Sequence, residues 1–337
     1  MTLLRFPAPP ASPLLTRVPL SDIELPVLDD LPWPWPGRLL HVDEPSGNTT
    51  LTVHVRDTPG HPNAQRAVYL HGLGGSATNW TELAGLLAGE ATGLSVDLPG
   101  FGLSPPRDDR DFSMSTQADT VAAIIARTGE GPVHLFGNSM GGAIALLLAA
   151  GRPDLVSSLT LISPAMPDLR PDLSRMSDPR MALALLPLIG RPARRGLAAL
   201  TARERTVQLL NLCFADPTRV SAARFDLAVA EYAERMAMPW SSNVLGPAVA
   251  AIVRDWLAPP ARSLWAVAHR VLAPTLVIWG EGDRVISVRK AARTARMLRR
   301  GRLLVLPRTG HAAQMERPTT VAKAVLGMWH AVEQGAW

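Results

Sequence analysis

The hydrophobic pattern changes character three times along the chain. Residues 1–36 are studded with proline and end in Leu31-Pro32-Trp33-Pro34-Trp35-Pro36, too proline-dense for a helix or a central strand. The tryptophans of this arm are expected to lie against the body of the protein. Two short runs, Arg38–Asp43 and Thr50–Asp57, follow each other with no helical stretch between them and predict an antiparallel pair. From Ala67 onward, short apolar runs alternate with segments of helical spacing. Ala67–Leu70, Gly93–Asp97, Pro132–Phe136 and Ser158–Ile162 read as buried strands, with helices near Thr78–Gly89, Ser115–Arg127 and the Ala/Leu-rich Ala143–Ala150. Such alternation implies a parallel sheet covered by helices on both faces.

Between Ser163 and about Ala273 the pattern is helical only, with apolar positions at helical spacing over Met181–Ile189, Arg191–Leu200, Arg203–Phe214, Ser221–Met236 and Ser242–Leu257. Alternation then resumes with strands Thr275–Trp279 and Arg302–Leu306 and helices near Ser287–Arg300 and Thr319–Gln334. The expectation is an α/β chain built on a mostly parallel, eight-stranded sheet. Its parts are a Pro-rich arm (1–36), a core (37–163 and 274–337) and an all-helical insertion at 164–273, which the resemblance described below makes a cap.

Candidate chemistry sits at the strand ends. The run Val133–Phe136 feeds Gly137-Asn138-Ser139-Met140-Gly141 and then the Ala/Leu-rich helix. A turn that tight strains the backbone of its middle residue and lifts the Ser139 hydroxyl clear of the sheet. A hydroxyl is a weak nucleophile and needs a base, which in turn needs an orienting carboxylate. His311 follows the strand Leu303–Leu306, and Asp283 follows Thr275–Trp279, so all three lie past the carboxyl ends of buried strands, where open parallel sheets hold ligands. The alternatives are that Ser139 is an ordinary helix N-cap, that His311 is a turn residue, and that the acid is Glu281 or Asp168. His71 is expected to hydrogen-bond the glycine loop it precedes. His41, His54, His61, His134, His269 and His330 read as residues without partners.

Five segments in order resemble the α/β-hydrolase superfamily: His71–Gly75, Asp97–Ser104, Gly137–Gly142, Gly280–Asp283, and Gly310-His311 with Gln314–Pro318. Within it, the chain is similar to the capped esterase, epoxide hydrolase and carbon–carbon hydrolase branch. The resemblance implies a Ser139–His311–Asp283 triad and an oxyanion hole made by the backbone N–H groups of Leu73 and Met140. Gly72, Gly74 and Asn138 around that hole, with Met166 and Trp240 in or near the cap, are candidate substrate contacts. The methionines at 166, 176, 181, 236 and 238 favour an apolar substrate. No cofactor and no metal are called for.

Composition narrows the partners. The chain has 337 residues, 47% of them hydrophobic, and a formal charge of +5. Its positive residues are almost all arginines interleaved with acids, which reads as solvated faces and not as a nucleic-acid surface. No apolar run reaches the ~20 residues needed to span a bilayer. Prolines at 7, 9, 10, 13 and 19 interrupt any signal-like apolar stretch. The single cysteine, Cys213, excludes an internal disulfide and fits a reducing cytoplasm; a monomer or homodimer is expected, with the choice between them left open. Epoxide and halide chemistry in this superfamily generally uses an aspartate nucleophile, with cap tyrosines or a tryptophan after the nucleophile. This chain has Ser139, Met140, and tyrosine only at 69 and 232. The leading expectation is hydrolysis of a small-to-medium apolar ester. Carbon–carbon cleavage of a dienone and a non-catalytic ligand receptor are the alternatives.

Overall fold

The computed structural model describes residues 18–43, 50–61, 64–168 and 200–337. Eight strands form one sheet: β1 (Gly37–Asp43), β2 (Thr50–Thr58), β3 (Gln65–Leu70), β4 (Ala91–Val96), β5 (Val133–Asn138), β6 (Val156–Ile162), β7 (Thr275–Gly280) and β8 (Gly301–Leu306). Their order is β1-β2-β4-β3-β5-β6-β7-β8. β2 pairs antiparallel with both β1 and β4, and every later pairing is parallel. Each predicted strand is present, with its ends moved by one or two residues.

Successive strand side chains point to opposite faces, and here each face has its own core. Val68 and Leu70 of β3 join Leu135, Leu161, Val277 and Trp279 on one side. Ala67 and Tyr69 join Phe136, Ile162, Leu276 and Ile278 on the other. Covered twice, β5 and β7 are buried at every position, which is why they read as unbroken apolar runs. The edge strand β1 buries only Leu40 and Val42.

Helices α1 (Thr81–Leu86) and α10 (Pro318–Glu333) cover the Tyr69 face. Helices α2 (Met114–Thr128), α3 (Met140–Gly151), α7 (Leu264–Ala268) and α8 (Ala291–Met297) cover the Val68 face. The stretch expected as one helix near Thr78–Gly89 is a 3-10 turn, Ala77–Trp80, running into α1. Likewise Ser287–Arg300 divides into a 3-10 turn and α8, which stops where Leu298 becomes extended to enter β8.

Between β6 and β7 the described residues form α4 (Ala202–Cys213), α5 (Ala222–Met236), α6 (Leu245–Trp256) and α7. Their starts follow from local chemistry. Thr201 and Glu204 exchange side-chain bonds with each other's backbone N–H in a capping box, and Ser221 accepts from Arg224 N. The helix expected over Met181–Ile189, all but the last residue of that expected over Arg191–Leu200, and Met176 and Met181 lie outside the described residues. Among the described residues no helix is long and apolar enough to cross a membrane.

The described part of the arm lies on the body, as its tryptophans predict. Trp35 is buried and its Nε1 donates to Thr81 O at 2.9 Å. The Arg224 guanidinium of α5 stands 5.8 Å over the Trp33 ring and donates to Leu28 O at 3.0 Å.

This topology places the functional loops. β3 has β4 on one side and β5 on the other, so the chain changes direction across that boundary and leaves a crevice at the strands' carboxyl ends. Leu70 pairs with Gly137, so the loops leaving β3 and β5 start side by side.

Candidate active site

Ser139 is the single residue between β5 and α3. Its φ of 53° and ψ of −117° are strained for a residue with a Cβ. Three backbone bonds hold it there. Ser139 N donates to Ile162 O (3.0 Å), and Ser139 O accepts from Ala143 N (3.1 Å) and Ala165 N (2.8 Å). Its hydroxyl does not cap α3, so the bland reading of a helix N-cap does not apply. Gly141 lets α3 press against the end of β3, since a Cβ there would sit 2.3 Å from Leu70 O.

His311 and Asp283 arrive from the ends of β8 and β7. His311 Nδ1 lies 2.9 Å from Asp283 Oδ2, and both side chains are buried. An ionised carboxylate can only accept, so Nδ1 carries the proton of this bond and Nε2 is the nitrogen left to face the serine side. The other oxygen, Asp283 Oδ1, accepts from Val285 N (2.8 Å) and Ile286 N (3.0 Å). Burial alone would raise the Asp283 pKa. The charge and hydrogen bond of His311 and the Ile286 N–H outweigh it and hold the carboxyl below its ordinary range. The other acids are elsewhere. Glu281 is exposed, and Asp168 pairs with Lys290 Nζ at 3.1 Å.

The histidine loop is tied to α4 and to the elbow. His311 N and Ala312 N both donate to Cys213 O, the last residue of α4. Burial and the Asp283 charge push the Cys213 thiol up to about 12, so it stays protonated near neutral pH. The buried Glu316 accepts from Gly310 N at 2.6 Å, Ala215 N at 3.1 Å and Asp216 N at 2.9 Å. Asn138 Nδ2 donates to His311 O (3.2 Å) and Ile162 O (3.1 Å). Asn138 was expected to face substrate. Its amide protons tie the elbow to the histidine loop and to the end of β6, while its Oδ1 faces Gly72.

The glycine loop after β3 meets Ser139 directly, since a Cβ on Gly72 would lie 3.0 Å from Ser139 Cβ. On the other side Met140 opens α3, so its N–H has no carbonyl partner within the helix. His71 bonds the loop, as its position predicts. Its Nε2 accepts from Leu98 N (3.1 Å), so Nδ1 is the protonated nitrogen and donates to Gly72 O (2.7 Å). Burial lowers its pKa, consistent with a neutral ring.

The remaining candidates are less directly placed. Met166 is wholly buried in the core, and Trp240 is half-buried against the same cluster. Tyr69 is fully buried beside Phe136 and Trp80, far from any role as a cap acid. A cavity of about 1280 Å³ opens beside α6, lined by Leu147, Val249, Val253, Leu257 and Leu264, and touches neither Ser139 nor His311.

Several partnerships escaped the sequence. His54, expected to be partnerless, lies 2.8 Å from Asp97 Oδ2, and His134 stacks on Trp329 and bonds Ser158 Oγ. Asp97 also accepts from Leu103 N (2.9 Å) and Ala77 N (2.6 Å), tying β2, the 3-10 turn at Ala77 and the loop after β4 together. The position of Asp97 at a strand end was the available signal. Burial raises the Asp97 pKa, but the bonds from His54 and Leu103 more than offset this and bring it below the ordinary 3.8. The stabilisation is therefore complete above that value and lost as pH falls through the folded value. Asp97→Ala leaves three buried donors unpaired and is expected to lower stability by about 3–5 kcal/mol at neutral pH, read from urea midpoints at unchanged m.

Known proteins share this arrangement. A family profile described as "alpha/beta hydrolase fold" matches residues 68–318. The monoacylglycerol lipase abhd6-B of Xenopus laevis is 30% identical over 288 residues, spanning 82% of this chain and 78% of its own. A 2-hydroxy-6-oxononadienedioate/2-hydroxy-6-oxononatrienedioate hydrolase of Cupriavidus pinatubonensis is 26% identical over 86% of this chain and 94% of its own. Among solved structures, a membrane phospholipase A matches with a TM-score of 0.70 at 25% identity, over 88% of this chain and 86% of its own. With its sheet, its strand-end loops and most of its length so matched, the chain belongs to the α/β-hydrolase family and is a hydrolase.

Proposed function

We propose that the chain is a serine esterase of small-to-medium apolar carboxylic esters, working through an acyl-enzyme on Ser139. The observation that carries this reading is the buried Asp283–His311 pair, joined through Asn138 to a strained, uncapped serine. In this reading the His311 Nε2 lone pair takes the Ser139 proton as Oγ attacks the ester carbonyl, then returns it to the leaving alcohol. Water repeats the sequence on the acyl-enzyme and releases the acid. The Leu73 and Met140 N–H groups hold the oxyanion, each worth about 3–4 kcal/mol in the transition state. Residues 164–273 act as a lid, and Leu245 of α6, within reach of Gly74, supplies apolar contact above the loop. The single thiol supports a cytoplasmic location.

Fluorophosphonate labelling that disappears in Ser139→Ala is the expected result. An unlabelled but folded wild type would favour a receptor instead. The similarity to a dienedioate hydrolase supports carbon–carbon cleavage as the second reading. A chain-length series of p-nitrophenyl esters, run beside a dienone, separates the two. Faster dienone turnover would displace the esterase reading.

A further inference from the structure

Two charged residues of the cap grip the glycine loop from above. Arg235 Nη1 donates to Gly74 O at 2.9 Å. One turn earlier on α5, Glu231 Oε1 accepts from Ser76 Oγ at 2.7 Å and lies 2.9 Å from Arg235 Nε. Both side chains are mostly buried, at 14% and 12% exposure, so solvent screens this pair less than a surface one. The same helix is held at its other end, where Arg224 binds the arm and sits 3.7 Å from Glu82.

The bonds inside the loop carry that grip to the serine. A trans peptide is planar, so its N–H and C=O point in opposite directions. The peptide joining Gly74 to Gly75 is held by Arg235 at its oxygen, and its N–H donates to Gly72 O at 3.0 Å. Gly72 O also accepts from His71 Nδ1 at 2.7 Å. With that oxygen held by two donors, the N–H on the far side of the same peptide, that of Leu73, has its direction set. Each peptide in this chain polarises the next.

We infer that Arg235 and Glu231 are positioning residues that aim the Leu73 N–H at the reacting carbonyl oxygen, so that the cap completes the oxyanion hole. The inference rests on the esterase reading above. A cap lifted from the loop removes the donor to Gly74 O, which links lid closure to transition-state stabilisation. A latch that merely held the lid shut would alter substrate entry and melting temperature and leave oxyanion affinity unchanged.

The test compares Arg235→Met, Arg235→Lys and Glu231→Gln with wild type on a p-nitrophenyl ester, with kcat normalised to fluorophosphonate-titrated sites. Inhibition by a trifluoromethyl ketone, whose serine adduct carries an oxyanion, is measured beside that by the corresponding alcohol. Arg235→Met is expected to lower kcat roughly 10–100-fold, with KM within about threefold and ketone affinity falling in parallel with kcat. Alcohol affinity is expected to hold. Arg235→Lys should recover part of the loss, because an ammonium still donates to Gly74 O. Should Arg235→Met fail to unfold cooperatively, Glu231→Gln decides, with the same parallel fall in kcat and ketone affinity at smaller size. Wild-type ketone affinity in folded variants, or a change confined to KM, overturns the inference while leaving the esterase reading intact. A wild type that neither labels nor cleaves esters overturns both.

Discussion

Ser139→Ala is expected to lower kcat for ester hydrolysis by roughly 10⁴–10⁶-fold while the protein stays folded. The chemical loss is large because no other nucleophile stands at the elbow, and Cys213 is held protonated. The structural loss is small for reasons visible in the fold. The Ser139 hydroxyl caps nothing, and alanine keeps the Cβ that the φ of 53° already tolerates. The bonds that hold the turn come from the Ser139 backbone, which the substitution leaves in place. His311→Ala is expected to cost a similar factor, since without a base the hydroxyl remains protonated. The double variant should be scarcely worse than either single one, because serine and histidine act as one unit. Stopped-flow or steady-state rates with thermal unfolding of each variant provide the check. Losses that multiply would contradict a shared proton-transfer step.

The second large effect is expected at Asp283→Asn, with kcat lower by roughly 10³–10⁴-fold. Asp283 Oδ1 is fixed by the N–H groups of Val285 and Ile286, so the asparagine oxygen takes that place. The amide NH₂ then faces His311 Nδ1, where the carboxylate oxygen now sits at 2.9 Å. A donor at that position favours the tautomer with the proton on Nε2, which leaves no lone pair to receive the Ser139 proton. Stability carries a separate signature. The folded Asp283 pKa lies below the ordinary 3.8, so the wild type's advantage over Asp283→Asn is complete above that value. It shrinks as pH falls through the folded value. Denaturant midpoints of the two proteins at neutral pH and at about pH 2–3 measure this. An advantage that grows with acidification would refute the pairing. Near-normal kcat in Asp283→Asn would refute the tautomer role.

Much of this site was legible along the chain because its residues follow strands, and strands are marked by apolar runs. β5 and β7, buried on both faces, leave continuous runs whose ends point to Ser139 and Asp283. The sequence favoured Asp283 but left Glu281 and Asp168 open, because the choice turns on which carboxylate is buried against His311. In the structure Asp283 is the carboxylate that lies against His311, held by the Val285 and Ile286 N–H groups. The backbone partners of Asn138 were not legible for a related reason, since an amide beside a nucleophile looks the same in sequence whatever its Nδ2 bonds.

The order of elements, the eight strands, the helical stretch between β6 and β7 and the placing of Ser139 and His311 at strand ends were determined by sequence alone. Local periodicity and turn chemistry carry that information, because they depend on neighbours a few residues away. Tertiary structure alone decided which polar groups became partners. His54 with Asp97, Glu316 with the start of the histidine loop, and Arg235 and Glu231 with the glycine loop join residues that lie far apart in the chain or on separately folded elements. Burial makes such pairings matter, since a polar group taken from water must find a partner, and only the packed fold determines which one is within reach.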